Sequence, residues 1–281
     1  MHDIRSETKL MWELLKGVIG APFILILMLF KKKSFSDLFA PFGVVFRFLA
    51  EPKFTFTIVL LNILAFIASL FISKETFMSL ALHPQDIISF NPLPLVTSGF
   101  LHAGIGHLLA NMLGIIIFGR IVEREVGALK TGFIYIGALL ISGIFSSLIH
   151  LLILKDNTPG VGASGALMGL VAAAMLLDPF YFTYELVIPL PIMVVGWLTI
   201  LADILGILNP LEDGIGHIAH LGGFLSIAVI GFLVGLEDRK KLWQGFLINM
   251  VSLVAILAIY FLVLNGVWFE PYKAQALAAI S

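Results

Sequence analysis

Gly162-Ala163-Ser164-Gly165-Ala166-Leu167-Met168-Gly169 sets one serine between glycines at the start of an apolar helix. From Ser164 to Leu177 the sequence offers only 14 uncharged residues before Asp178, a helix of roughly 21 Å at about 1.5 Å per residue. A bilayer core is about 30 Å thick. The helix is too short to span alone, so the segment from Asn157 to Ala163 must cover the rest. Irregular backbone is tolerated at that depth only where it is buried in protein or lines water. The arithmetic places Ser164 at the floor of a water-filled cavity inside the membrane. Taken alone, the stretch fits a small-residue packing helix equally well. A partner base decides between the two, and His220 is the candidate.

The rest of the chain justifies the membrane. Of 281 residues, 59% are hydrophobic and 12% charged, a balance that excludes a soluble domain and indicates an all-α polytopic membrane protein. The net charge of −1 gives no ground for a nucleic-acid partner; the lipid bilayer is the implied one. With no cysteine in the chain, disulfides, thiol nucleophiles, iron–sulfur clusters and cysteine-zinc sites are excluded. The first apolar run, Gly17 to Phe30, lacks a small-residue cleavage site and is followed by Lys31, Lys32 and Lys33, so no cleavable signal peptide is expected. Fourteen residues broken by Pro22 suit an interfacial or re-entrant segment. Residues 34–50 mix Phe-rich apolar positions with Asp37 and Arg47, as a membrane-surface helix would.

Residues 1–52 are therefore read as a cytoplasmic or interfacial segment, 53–236 as a core of six membrane helices, and 237–281 as a turn plus a seventh. The spans are expected near 55–72, 105–122, 131–154, 164–177, 186–205, 215–236 and 243–266. The connection 73–104 holds Pro84, Pro92 and Pro94 and is expected to pack into the outer leaflet. The loop 206–214 is short and turn-rich. If the first span starts in the cytoplasm, that side holds Lys31, Lys32, Lys33, Arg47, Lys53, Arg120, Arg124, Lys130, Arg239, Lys240 and Lys241, and the other side only Lys74, Lys155 and Lys273. Eleven against three sets the orientation, with Ser164 opening to the non-cytoplasmic face.

Polar residues inside a membrane are costly and mark function by default. The second span carries His107 and Asn111, four apart and so on one helix face. The sixth carries His217 and His220, with His220 expected roughly 10 Å below the start of its helix. Serine is inert at neutral pH until a base takes its proton; His220 is placed to do so. The tetrahedral intermediate then needs donors, which His107, Asn111 and the Ser164 N–H supply. Ala219 and Gly223, four apart, face the like-spaced Gly165 and Gly169, which lets the two helices approach closely. His102 is read as structural, holding the preceding loop by hydrogen bonds. His217 faces roughly the same side as His220, but a base needs only one imidazole; His150 and His83 stay unassigned. A zinc site on His102, His107, His217 and His220 is the competing reading, but no carboxylate is expected at matching depth. No metal or organic cofactor is expected.

With these residues in view, the chain resembles the rhomboid intramembrane serine proteases over about residues 55–236. The resemblance rests on Thr97-Ser98-Gly99-Phe100-Leu101-His102, the His107 and Asn111 spacing, Phe118-Gly119 with Glu123 and Gly127, Gly162-Ala163-Ser164-Gly165, and Ala219-His220-Leu221-Gly222-Gly223. It implies a six-helix rhomboid-like bundle, here with one extra C-terminal transmembrane helix. It also implies Ser164 as nucleophile, His220 as general base, and His107 with Asn111 as oxyanion hole. Glu123 would support the helix framework near the gate, and the fifth helix with the loop after it would control entry. The chain departs from many relatives in carrying Leu93-Pro94 in place of Trp-Arg and Ile227 in place of a glycine. The implied reaction is peptide-bond hydrolysis in transmembrane or membrane-proximal segments of other membrane proteins. The expected location is the plasma membrane of a prokaryote. The alternative is a non-proteolytic rhomboid-like protein that binds client helices.

Overall fold

The computed structural model describes residues 50–183, 190–209, 215–231 and 235–264, with 20, 24, 26–28, 30 and 43 before them. The readings of residues 17–50 as interfacial and surface segments lie for the most part outside the described residues, as does most of the 206–214 loop. Among the described residues the fold is helical, as expected. Three helices are long and apolar enough to cross a membrane, and four shorter apolar ones accompany them.

α1 (Lys53–Ser69) opens behind Pro52, which has no side chain able to cap it. Glu123 supplies the cap from 68 residues away: its carboxylate accepts from the Thr55 N–H at 2.8 Å, the Thr55 hydroxyl at 2.8 Å and the Phe54 N–H at 2.9 Å. The connection that follows is structured throughout, as α2 (Lys74–Leu80), α3 (Gln85–Ile88), α4 (Leu93–Thr97) and a tight turn at Ser98–Phe100. The Thr97 hydroxyl donates to the Leu80 carbonyl at 2.7 Å, which holds its two ends together. Pro94 is buried while Ile88, Phe90 and Leu93 are exposed. The proline at 94 is thus a packing residue at the start of α4.

The second span runs from Ile105 to Val126, as α5 (Ile105–Gly114), a π-turn at Ile115–Gly119 and α6 (Arg120–Val126). Gly127, at φ +83°, breaks it from α7 (Ala128–Ile149). α8 (Ser164–Leu177) has the bounds the sequence indicated. A two-residue pair follows, β1 (Phe182–Thr183) against β2 (Leu190–Pro191), antiparallel. That pairing delays α9 (Ile192–Leu208) past the expected 186. α10 (His217–Ile230) and α11 (Leu236–Leu264) complete the bundle.

α8 is the axis. Eleven of its 14 residues are buried, and a helix apolar all round belongs inside the protein. Lipid provides no hydrophobic drive between helices, so close packing of small residues must supply the attraction; Ala172, Ala173 and Ala174 are fully buried. The appended seventh helix is tied to the bundle at a few points. A side chain at Gly245 would run into the Leu176 carbonyl, and Asn249 donates to the Met175 carbonyl at 2.9 Å. Lys130 pairs with Asp238, and Lys241 with Glu125.

Candidate active site

Ser164 is the first residue of α8 and half-buried. The loop before it is tied to the 73–104 connection. Leu82 and Gly160 exchange backbone hydrogen bonds of 3.1 and 2.8 Å, and the Gly162 N–H donates to the Ser98 carbonyl at 2.8 Å. Gly162 is needed on two counts. Its φ of +124° lies where L side chains are strained, and a Cβ there would come within 2.7 Å of His107 Cε1 and 2.8 Å of Nε2. The same point lies 3.6 Å from Asn111 Nδ2. His107 and Asn111 therefore face the backbone two residues before the serine. Asn111 is buried, and its Nδ2 has no hydrogen-bond partner among the described residues.

His220 reaches the same region by the contact of two helices. A Cβ on Gly165 would stand 3.7 Å from the Ala219 carbonyl, and one on Gly169 would stand 3.5 Å from the Gly223 carbonyl. In return, a Cβ on Gly223 would collide with the Gly165 carbonyl oxygen and lie 2.8 Å from its carbon. The helices touch backbone to backbone, with the neighbours of Ser164 and His220 at the contact. α10 starts at His217, so His220 lies only about 4.5 Å along its helix, shallower than the expected depth and closer to the level of Ser164. No hydrogen bond joins Ser164 to His220 among the described residues; such bonds are often loose without substrate and tighten in the complex. His107 lies within electrostatic reach of His220.

The two supporting residues are placed as follows. His102 is buried beside Phe100 of the preceding loop. Its ring nitrogens make no hydrogen bond of good geometry among the described residues, and its ring packs edge-on against His107 with centroids 5.1 Å apart. Glu123 caps α1, 16 residues beyond His107 along the second span, and so stands at the end of the helix opposite the site. Of the unassigned histidines, His150 pairs with Asp156 at 2.7 Å and His83 contacts the Ala81 carbonyl at 3.1 Å.

Sequence reasoning missed Asp203. It is 4% exposed on α9, and its Oδ1 lies 2.8 Å from Nδ1 of both His217 and His220. The expectation that no carboxylate stands level with the histidines is therefore corrected. The signal was present: Asp203 is the one charged residue in the Ile192–Leu208 helix, and the rule applied to the histidines applies equally to it. The three side chains are of metal-ligating type, with ligand atoms within 4.8 Å of one another. Neighbouring nitrogens and oxygens around tetrahedral zinc lie about 3.3 Å apart, given bonds of about 2.0–2.1 Å. The observed 2.8 Å separations are those of hydrogen bonds.

These features define an integral membrane protein of bundled helices, with a serine, histidines and an amide gathered at one end of its central helix. The rhomboid domain model matches residues 90–237, and the chain belongs to the rhomboid family. It is 31% identical over 179 residues to RHOMBOID-like protein 4 of Arabidopsis thaliana, covering 57% of this chain and 43% of that one. It is 36% identical over 153 residues to RHOMBOID-like protein 6, mitochondrial, covering 54% and 46%. With Rhomboid-like protein 11, chloroplastic, the identity is 29% over 190 residues, 64% of each chain; both are also from Arabidopsis thaliana. The chain spans less than half the length of the first two. These relatives are plant proteins, and they give no support to a prokaryotic plasma membrane.

Proposed function

We propose that this protein is an intramembrane serine endopeptidase that cleaves transmembrane or membrane-proximal segments of other membrane proteins. Ser164 attacks the scissile carbonyl while His220 takes the hydroxyl proton. The oxyanion that forms accepts hydrogen bonds from Asn111, His107 and the Ser164 N–H. His220 returns the proton to the leaving amine, the acyl-enzyme forms, and water releases the second product. The observation that carries this reading is Asn111 Nδ2, a buried donor with no acceptor among the described residues, beside the backbone that leads into Ser164. A buried unpaired donor costs about 1–3 kcal/mol. Such a cost is understandable where the acceptor arrives with the substrate. Eleven basic residues against three support an active site that opens to the non-cytoplasmic side.

The test is a fluorophosphonate labelling gel run beside cleavage of a quenched transmembrane peptide. The native chain should label and cleave. Ser164→Ala and His220→Ala should each abolish cleavage to a similar extent, and the double variant should be little worse, since the pair acts as a unit. Substantial cleavage by Ser164→Ala sinks the reading. Binding of client helices without cleavage by the native chain supports the non-proteolytic alternative. Chelators should have no effect; activity lost to a chelator and restored by zinc would turn Asp203, His217 and His220 into a metal site.

A further inference from the structure

α9 brings one ionisable group into the membrane, Asp203, and its side-chain hydrogen bonds run to α10. Asp203 Oδ1 meets Nδ1 of His217 and Nδ1 of His220, each at 2.8 Å. Its other oxygen, Oδ2, is buried and takes no hydrogen bond among the described residues. The two imidazoles are thus the partners that offset the burial of this carboxylate. One turn further along α9, a side chain at Gly206 would strike the His217 ring, coming 2.5 Å from its Cδ2. The glycine leaves room for that ring to lie flush against the helix. Asp203 and Gly206 form a socket on α9 for the two histidines of α10.

We infer that Asp203 is the positioning residue of His220, fixing which ring nitrogen is free to act as base. An ionised carboxylate only accepts hydrogen bonds, so a ring nitrogen bonded to it must carry a proton. The nitrogen that a histidine presents for chemistry is set by the bond its other nitrogen makes. With Nδ1–H held by Asp203, the lone pair of His220 lies on Nε2. When His220 takes a proton from Ser164, the neighbouring carboxylate stabilises the imidazolium. His217, bonded to the same oxygen, keeps the carboxylate from turning away. Its ring stands edge-on to that of His220, with centroids 6.3 Å apart. The site then works as serine, histidine and aspartate drawn from three helices, where the sequence suggested two residues.

The kinetic consequence rests on the proteolytic reading above; the tautomer rests on geometry alone, and the two are measured separately. The first measurement is nitrogen NMR on full-length protein labelled with 15N-histidine, using His220→Ala to assign the ring. Native His220 should show a protonated Nδ1 and an unprotonated Nε2. In Asp203→Asn that pattern should be lost or mixed, because the amide can donate as well as accept. A native ring with its proton on Nε2, or a pattern indifferent to Asp203→Asn, overturns the inference whether or not the protein is a protease. The second measurement is cleavage. Asp203→Asn should lower kcat by about 10²–10⁴, approaching the loss seen when a triad aspartate becomes asparagine, with KM within about threefold. Asp203→Glu, which restores the charge, should recover part of the rate. Cleavage by Asp203→Asn at the native rate, where Ser164→Ala is inactive, overturns the inference and leaves the protease reading standing. If Asp203→Asn does not fold, His217→Ala serves in its place. His220 should keep its Nδ1 proton there, and loss of that proton would show that His217 and not Asp203 sets the ring.

Discussion

Replacing Gly223 by alanine tests the contact on which the whole site depends. The added Cβ would overlap the Gly165 carbonyl oxygen and lie 2.8 Å from the carbonyl carbon and 3.2 Å from Cα. Carbon atoms pack best at about 3.5–4.0 Å. All three obstacles are backbone, so no rotamer change relieves them and α8 and α10 must separate by roughly 1 Å. Overpacking of this kind costs about 1–3 kcal/mol. The catalytic penalty is of similar size: an error of about 1 Å in the placement of reacting groups costs about 10²-fold in rate, or about 2.7 kcal/mol. The assay is a thermal melt in detergent beside cleavage of a quenched transmembrane peptide, with Gly223→Val as a graded step. Gly106→Ala is the control, since a Cβ there meets nothing within 4 Å. Gly223→Ala should melt several degrees lower and cleave about 10²-fold more slowly, and valine should be worse on both counts. A native melt and native cleavage in Gly223→Ala would refute a backbone-level contact between these helices. A lowered melt with native cleavage would mean that the contact holds the bundle without placing Ser164 against His220.

Other outcomes follow from the same geometry. Asn111→Ala should lower kcat by about 10²–10³ with little change in KM, because its donor meets charge that develops only in the transition state; near-native cleavage would show that Nδ2 serves another purpose. Glu123→Gln should destabilise the fold by about 1–2 kcal/mol through loss of the charged cap on α1, read as a lower melting temperature, and Thr55→Val should cost less. An unchanged melt would mean that water caps that helix as well. Single cysteines meet no background in this chain. Asn157→Cys should react with an impermeant maleimide added outside intact cells and Lys240→Cys should not; the reverse pattern would invert the topology.

What the sequence determined by itself was local. A helix of 14 apolar residues behind Gly-Ala-Ser-Gly is too short for a bilayer at any tertiary arrangement, and its bounds were legible to the residue. His107 with Asn111, and the paired small residues at 165/169 and 219/223, follow the helical repeat, so their shared faces could be read without a fold. The orientation expected from the positions of Lys and Arg is likewise read without any packing, and the maleimide experiment tests it. The tertiary structure decided what depends on residues far apart in the chain. Asp203 meets His217 and His220 across 14 and 17 residues, and no periodicity within either helix announces which face of α9 turns toward α10. Glu123 caps α1 from 68 residues away; the family resemblance implied support of the helix framework near the gate, and only the fold shows which helix it supports. Asn249 ties the appended α11 to Met175 on the central helix across 74 residues. The start of α9 was likewise hidden, because a strand pair of two residues on each side carries too little pattern to see. A buried polar group in a membrane must find its partner inside the protein; the sequence shows that such a group exists, and only the fold shows which partner it finds.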